Sequence, residues 1–318
     1  MGPVRPFQFM IGTRGILDRP TLIDGVRMAE SIGYDAICIH DHLTPQLAPI
    51  PVLTAVAMAT ERLRLCPLVL NNDLRHPAVL AQELATLDRL SDGRVIVGIG
   101  AGWNEPEYWA TGITFDRPGV RIDRLEEAIA VLRGSFAPGS FTFAGRFYSI
   151  ADFDGQPKPV QQPRPPFLIG GTRERMLRLA AREAEIVGLD LRQDRDSLPD
   201  AFPLGMDRRI GWVRDAAGPR LEELDLSVLR VLGELRVTNR PLAAARTLAR
   251  RLADRTGLSI TSEDVLESPY SLIGTVPDLV AKLRRGRERW GINSILVGWF
   301  DDAGLADFAP VVEQLAGT

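Results

Sequence analysis

The sequence is poor in cysteine and histidine. Its two cysteines, Cys38 and Cys66, each lie in an apolar run, which excludes a disulfide framework and predicts two buried, reduced side chains. Of the three histidines, His40 and His42 form an HxH pair of the kind that metal-dependent hydrolases use, whereas His76 stands at a helix entrance. Because a catalytic metal site needs further ligands from other strands, we expect no metal and rank a metal hydrolase last.

Long hydrophobic runs and an excess of basic residues are also absent. No stretch approaches the roughly 18 apolar residues that a membrane span needs, and residues 1–11 hold no apolar stretch of signal-peptide length. The 318 residues carry a formal net charge of −3, with 38 Lys and Arg against 41 Asp and Glu. Proteins that bind nucleic acid normally show a basic excess. We therefore expect a cytoplasmic protein without a nucleic-acid or membrane partner.

What the chain does contain is a regular alternation of short apolar runs and amphipathic segments. Most of the runs lack polar alternation, which is typical of parallel strands buried on both faces; they are residues 7–11, 36–40, 65–70, 94–99, 167–170, 185–189, 226–232 and 294–297. The helical patterns cover residues 77–90, 120–132, 173–185, 242–255, 277–290 and 305–315. Eight strands at this length predict an α/β protein, a (β/α)8 TIM barrel formed by residues 1–318 as a single domain.

Residues 137–166 interrupt this alternation after the fourth strand. The segment is rich in proline, glycine and aromatic residues and has no helical pattern. We expect an insertion over one face of the barrel. Substrate selectivity is expected to depend on it and on residues 191–218, which carry no familiar motif.

The residues that follow the strands are the candidate site, because TIM-barrel active sites lie at the carboxyl ends of the strands. Five ends are rich in glycine or polar residues: Gly12; His40, Asp41 and His42; Asn71; Gly100, Ala101, Gly102 and Trp103; and Gly170, Gly171, Thr172 and Arg173. The last group leads into a helix, whose free N–H groups predict an anion site, although an ordinary tight turn is the alternative. A histidine such as His42 suits general acid or base catalysis near neutral pH.

Six segments, taken in order, resemble the luciferase-like monooxygenase superfamily and in particular its F420-dependent oxidoreductases. They are residues 39–42, 71–77 (NNDLRHP), 87–93 (LDRLSDG), 97–104 (VGIGAGWN), 115–125 (FDRPGVRIDRL) and 167–187 (FLIGGTRERMLRLAAREAEIV). The resemblance is strong to about residue 190; beyond it only residues 273–283 and the last strand and helix look familiar. It implies a (β/α)8 barrel, commonly a homodimer, that binds the deazaflavin coenzyme F420, with FMN as the alternative cofactor.

The resemblance also implies roles for individual residues. A non-proline cis peptide near Leu68-Val69 would support the deazaflavin ring, which would be lined by Leu68, Val69, Asn71, Asp41, Gly100, Ala101 and Gly102. The phosphate would be held by Gly170, Gly171 and Thr172, and the acidic tail by Arg173 and Arg175. His42 matches the histidine that some relatives place beside the reacting carbon. Where F420-dependent sugar-phosphate dehydrogenases have a glutamate and a tryptophan, this chain has Trp103 and Gln46, which argues against sugar phosphates.

The function that the resemblance implies is hydride transfer between C5 of F420 and an electron-poor C=C, C=N or C=O bond. The substrate would be a small molecule, a natural product or a peptide-derived compound, contacted by Gly12, Trp103 and Glu105. The catalytic proton donor is expected to be His42, with Glu105, Glu107 and Tyr108 as alternatives. Two other functions stay open, an FMN-dependent monooxygenase that uses O2 and a flavin-binding barrel without catalysis.

Overall fold

A computed structural model describes residues 5–13, 15, 17–192, 194–229, 232–233, 235–299 and 305–318. The chain divides into two compact units. Unit 1 consists of Met1–Gly12, Met28–Asp35 and Gly170–Thr318, and unit 2 consists of Thr13–Arg27 and Ala36–Ile169. The single-domain organisation expected from the sequence stays a prediction.

The secondary structure alternates strand and helix along the described chain. Its strands are β1 (Gln8–Gly12), β2 (Ala36–Ile39), β3 (Arg64–Pro67), β4 (Leu70–Asn71), β5 (Val97–Gly100), β6 (Phe141–Ala144), β7 (Ser149–Phe153), β8 (Phe167–Gly171), β9 (Ile186–Leu189), β10 (Asp225–Val228), β11 (Arg236–Val237), β12 (Ile273–Gly274) and β13 (Ile292–Trp299). Its α-helices are α1 (Arg19–Ile32), α2 (Pro49–Ala57), α3 (Pro77–Leu90), α4 (Glu105–Thr111), α5 (Pro118–Phe136), α6 (Glu174–Glu183), α7 (Pro203–Ala217), α8 (Pro241–Thr256), α9 (Ser262–Glu267), α10 (Val276–Trp290) and α11 (Leu305–Leu315).

The eight predicted strands correspond to β1, β2, β3 with β4, β5, β8, β9, β10 and β13, and helical structure follows each of them. The pairings recorded between these strands are parallel. Every residue of β2, β5, β9 and β10 is buried, as expected for strands that are covered on both faces. The α/β class and its (β/α)8 TIM-barrel pattern are therefore confirmed.

Unit 1 is built on the strand order β1-β13-β10-β9. Gln8 pairs with Ser294 across β1 and β13, and Asp225 pairs with Ile186 across β10 and β9. Helix α11 covers β1 in this unit, where the rings of Phe9 and Phe308 meet edge to face at 5.8 Å and both side chains are fully buried.

Unit 2 contains two sets of parallel strands, β2 with β3 and β4 with β5 and β8. An isolated bridge between Leu65 and Val95 links β3 to the residues just before β5. Cys38 and Cys66 stand opposite each other in the β2–β3 register, and both are buried and form no disulfide, as the sequence predicts. The hydrogen bond to Cys66 and burial raise the pKa of Cys38.

The insertion after the fourth barrel strand, β5, contains an antiparallel hairpin, β6–β7. Glu127 of α5 accepts hydrogen bonds from the backbone N–H groups of Arg146, Phe147 and Tyr148 at 2.8–3.1 Å. Burial alone would raise the pKa of Glu127, but these three donors lower it overall. Further along, the buried Asp88 accepts from the backbone at residues 160 and 161. These two carboxylates fasten the insertion to the rest of unit 2.

Several boundaries differ from the sequence predictions. The predicted third strand, 65–70, is interrupted between Pro67 and Leu70 and forms β3 and β4. The predicted strand 226–232 ends at Val228, and residues 230 and 231 lie outside the described chain. The sequence predictions omitted α1, α2, α4, α7 and α9, and α7 occupies most of the motif-free segment 191–218. In the described part of the chain, no helix is both long and apolar enough to cross a membrane.

Candidate active site

The segment that follows β2 meets the end of β3 inside unit 2. A non-proline cis peptide bond joins Leu68 and Val69, at the position that the resemblance implies. His40 Nδ1 lies 2.7 Å from the carbonyl oxygen of Leu68, and because a carbonyl can only accept, Nδ1 carries the hydrogen. The Gln46 side chain donates to the His40 carbonyl at 2.7 Å. His40 and Gln46 therefore hold the segment after β2 against Leu68, the residue that follows β3.

Asp41 is buried between these segments. Its Oδ2 accepts from Asn71 N at 2.9 Å and from Arg75 Nη1 at 2.7 Å, and its Oδ1 accepts from Arg75 Nη2 at 3.1 Å. A two-pronged guanidinium–carboxylate pair fixes both groups in orientation as well as in charge. Asp41 thus joins the end of β2 to the end of β4, and its role beside the deazaflavin stays a prediction.

His42 points toward helix α4, where Glu107 meets it. Its Nδ1 lies 3.0 Å from Oε1 and 3.2 Å from Oε2 of Glu107, and the Oε2 contact has hydrogen-bond geometry. On another side, the ring of Trp103 stands edge-on to the imidazole with centroids 5.4 Å apart. The Trp103 side chain is 55% exposed, so the imidazole has a buried carboxylate on one side and an exposed aromatic ring on the other.

Tyr108 is the hub of a buried polar network behind this pair. Its hydroxyl lies 3.0 Å from Asn71 Oδ1 and 3.0 Å from Asp73 Oδ2, and Asp73 is held in turn by Arg124 at 2.8 Å. Burial, followed by the charge of Asp73, raises the pKa of Tyr108 to about 12. Tyr108 therefore keeps its proton at neutral pH and fixes α4 to the end of β4.

The glycines of β5 and of the turn that follows it allow close packing against Val69 and Asn71, at the break between β3 and β4 and at the end of β4. An added Cβ at Gly100 would lie 2.7 Å from Val69 Cγ2, so the two segments that the resemblance assigns to the ring are in contact. Gly102 has φ +73°, and a Cβ there would lie 2.0 Å from Tyr108 Oη and 2.5 Å from Asn71 Oδ1. Only glycine fits both the backbone conformation and the space at residue 102. The half-buried Val69 and the glycine backbone suit one face of a flat ring.

In unit 1, β8 ends at Gly171 and helix α6 starts at Glu174, with Thr172 and Arg173 between them. A Cβ at Gly171 would lie 2.6 Å from Met176 Cβ, so glycine lets the helix approach the strand closely. No described side chain caps the start of α6, as is also the case for α2, α4, α5, α7 and α8. First-turn N–H groups without a side-chain cap suit a bound phosphate. Arg173 reaches Ser197 Oγ at 3.3 Å.

Sequence reasoning missed a buried arginine in unit 1. Arg209 of α7 is fully buried and donates to the carbonyls of Gly171 at 3.0 Å and Asp190 at 2.6 Å, and also to the Tyr270 hydroxyl. Burial raises the pKa of Tyr270 to about 12. Arg209 therefore fixes the ends of β8 and β9. Nothing in the sequence around it distinguishes it from the many surface arginines.

The remaining predicted site residues are less constrained. Gly12 is the last residue of β1, Ala101 is half-buried, and Glu105 is exposed at the first position of α4. His76 stands at a helix entrance, as the sequence indicates, and caps α3 by accepting from Ala78 N at 3.3 Å. Across the described residues, no group of three or more His, Cys, Asp and Glu could hold a metal ion.

Comparison with known proteins gives concordant results. The sequence model described as luciferase-like monooxygenase matches residues 10–203. The chain is 35% identical over 172 residues to an F420-dependent glucose-6-phosphate dehydrogenase of Microbacterium testaceum, covering 52% of this chain and 50% of that protein. It is 32% identical over 153 residues to an FMNH2-dependent dimethylsulfone monooxygenase of Pseudomonas putida, covering 48% of this chain and 40% of that protein. The matches thus span about half the length of these curated relatives or less.

Among solved structures, the coenzyme F420-dependent tetrahydromethanopterin reductase of Methanopyrus kandleri superposes with a TM-score of 0.77. The superposition covers 98% of this chain and 99% of that one. Because the sequence identity is only 20%, this likeness shows the shared fold alone. It extends the similarity past residue 203, where the match to the sequence model ends.

Proposed function

The chain belongs to the luciferase-like monooxygenase family, and from this premise we propose that it is an F420-dependent oxidoreductase. The reaction is hydride transfer between the deazaflavin and an electron-poor C=C, C=N or C=O bond of a small-molecule substrate. The observation that carries this proposal is the His42 imidazole, held by Glu107 and flanked by the exposed Trp103. F420-dependent enzymes among the relatives support the choice of cofactor.

Each unit, taken by itself, has residues that fit one chemical group of the cofactor. In unit 2, the side chain of Val69 and the backbone of Gly100 to Gly102 suit a flat ring. In unit 1, Gly170, Gly171, Thr172 and the first turn of α6 suit a phosphate group, and Arg173 suits an acidic group. When bound, F420 supplies or accepts the hydride at C5.

His42 supplies the proton that accompanies the hydride. In the direction of substrate reduction, the proton leaves Nε2 of the imidazolium and forms a bond to the substrate atom next to the carbon that receives the hydride. The imidazole is left neutral and regains a proton from water. Trp103 shields this exchange on its exposed side and offers an aromatic surface to the substrate.

The substrate class follows in part from two residues. The resemblance places Trp103 and Gln46 where F420-dependent sugar-phosphate dehydrogenases have a glutamate and a tryptophan. In this chain Gln46 donates its amide to the His40 carbonyl, and the Trp103 ring contacts the His42 ring edge-on. We therefore do not extend the sugar-phosphate activity of the relatives to this chain. An apolar or aromatic acceptor is better matched to the exposed indole.

A second candidate function is an FMN-dependent monooxygenase. The similarity to a dimethylsulfone monooxygenase favours it, and the side chain of Val69 and the backbone of Gly100 to Gly102 suit either tricyclic ring. Reduced flavins react readily with O2 and reduced deazaflavins do so poorly. O2 consumption with reduced FMN therefore separates the two functions.

The deciding experiment is a titration of the purified protein with F420 and, separately, with FMN, followed by fluorescence or calorimetry. Binding of F420 in the micromolar range or tighter, with weak FMN binding, is the expected result. The reverse preference would favour the monooxygenase, and binding of neither would overturn the cofactor assignment. We also propose a homodimer, which sedimentation analysis of the same sample tests.

A further inference from the structure

The carboxylate of Glu107 binds a single partner among the described residues, the imidazole of His42. It lies in the first turn of α4 and is only 8% exposed, yet among the described residues the only hydrogen bond of its side chain goes to His42 Nδ1. Oε1, 3.0 Å from the same nitrogen, has no separate hydrogen-bond donor. A buried carboxylate is costly unless it is paired, so its burial against a single imidazole calls for an explanation.

The placement of Glu107 is fixed by its neighbour in the sequence. Tyr108 is almost fully buried and its hydroxyl contacts Asn71 and Asp73, so the backbone of α4 cannot slide without breaking that network. The carbonyl of Glu107 also accepts from the Thr111 hydroxyl at 2.7 Å. Glu105, two residues earlier, is exposed. The helix therefore presents one carboxylate to the imidazole and leaves the other in solvent.

This geometry determines which nitrogen of His42 carries a hydrogen. An ionised carboxylate can only accept, so Nδ1 must be the donor whether the ring is neutral or charged. Nε2, at the opposite side of the ring, makes no hydrogen bond within the described chain. When the ring is charged, the proton free to leave is therefore the one on Nε2.

We propose that Glu107 is the positioning residue for His42, and that it holds the hydrogen on Nδ1 so that Nε2 exchanges the proton with the substrate. The proposal rests on the proposed function for its catalytic consequence, but not for the tautomer itself. Glu107 touches neither the substrate nor the cofactor in this scheme. It acts through the imidazole, as the carboxylate does in other carboxylate–histidine pairs.

The test reads the tautomer directly in the protein without added cofactor. Three histidines are few enough for nitrogen NMR of a histidine-labelled sample, and His42→Asn identifies the signal of His42. His76 provides an internal reference of the opposite kind, because its Nδ1 accepts from Ala78 N. At a mildly alkaline pH we expect the neutral His42 ring to carry its hydrogen on Nδ1. In Glu107→Gln, a nearly isosteric change, we expect a mixture of tautomers, whereas Glu313→Gln, at an exposed helical position, should change nothing.

Kinetics with reduced F420 test the catalytic part. We expect Glu107→Gln to lower kcat at least about 10-fold with little change in the KM for the hydride acceptor. In a His42→Ala background, the same substitution should cause almost no further loss of kcat. Additive losses would overturn the claim that Glu107 acts through His42. An unchanged His42 tautomer in Glu107→Gln would overturn the proposal outright. If the protein binds no F420, the tautomer measurement still decides the role of Glu107, and only the proposed function fails.

Discussion

The guanidinium of Arg75 binds both carboxylate oxygens of Asp41, at 2.7 and 3.1 Å. The Asp41 side chain is 4% exposed and that of Arg75 is 23% exposed, so the pair sits at the edge of the core of unit 2. Asp41 also accepts from the backbone of Asn71. Asp41, paired with Arg75, therefore joins the strand ends at residues 41 and 71 that the sequence singles out.

Arg75→Met should destabilise the protein by about 2–3 kcal/mol, because it leaves the buried carboxylate of Asp41 without its cation. Urea unfolding of the purified protein measures the loss. The double variant Asp41→Asn/Arg75→Met removes both charges and should recover part of the stability. An Arg75→Met protein as stable as the parent would show that Asn71 N alone satisfies the carboxylate.

Gly102→Ala and Gly112→Ala form a matched pair. Both glycines have a left-handed backbone, with φ +73° and +72°, but only at Gly102 would the new methyl collide with Tyr108 and Asn71. We expect a loss of about 1 kcal/mol for Gly112→Ala from backbone strain. For Gly102→Ala we expect about 3 kcal/mol, since the collision adds to that strain. Equal losses in urea unfolding would contradict the packing assigned to Gly102.

His42→Ala should reduce turnover with reduced F420 by on the order of 100-fold, because the general acid is lost. Cofactor affinity, measured by titration, should remain close to that of the parent protein. His76→Asn is the control, because asparagine preserves the helix cap and the residue lies outside the proposed chemistry. Unchanged turnover in His42→Ala would remove this histidine from the mechanism.

All four tyrosines should resist ionisation as long as the protein is folded. The four are Tyr34, Tyr108, Tyr148 and Tyr270, and burial is the largest cause that raises the pKa of each. The pKa is raised to about 12 for Tyr108 and for Tyr270. In the unfolded chain the phenols ionise near pH 10, so the unfolded state loses protons first. The contribution of these groups to the free energy of unfolding is therefore fully present below pH 10 and is lost as the pH rises from 10 toward 12.

The ultraviolet absorbance of phenolate provides the measurement. Titration in denaturant should show ionisation near pH 10, while the native protein should show it only at higher pH, together with loss of its circular dichroism. Phenolate that forms near pH 10 in a protein with native circular dichroism would contradict the burial assigned to these side chains.

The sequence predicts regular elements well where one period dominates. Helix α3 begins at Pro77 and ends at Leu90 as expected, since the proline suits the first turn and the apolar stripe is continuous. Helix α7 shows the opposite case. Glycines at 205 and 211 weaken its helical pattern, and the buried Arg209 gives it the composition of a surface segment. The interruption between β3 and β4 also could not be predicted, because residues 65–70 are apolar throughout.

The candidate site divides in a similar way. The strand-end residues could be located in advance, because parallel strands place their carboxyl ends together and glycine or polar residues stand out there. Partnerships between distant residues could not. His42 and Glu107 are 65 positions apart, and their contact depends on how Tyr108 seats helix α4. The sequence names Glu107 only as one of several possible proton donors.

The facing thiols of Cys38 and Cys66 make the protein its own conformational reporter. They are the only cysteines in the sequence, they lie in register on adjacent strands, and they are 1% and 0% exposed. A thiol reagent can reach them only when β2 and β3 open. Labelling rates of the unmodified protein, taken with and without ligand, would therefore measure how far binding stabilises unit 2 against local opening.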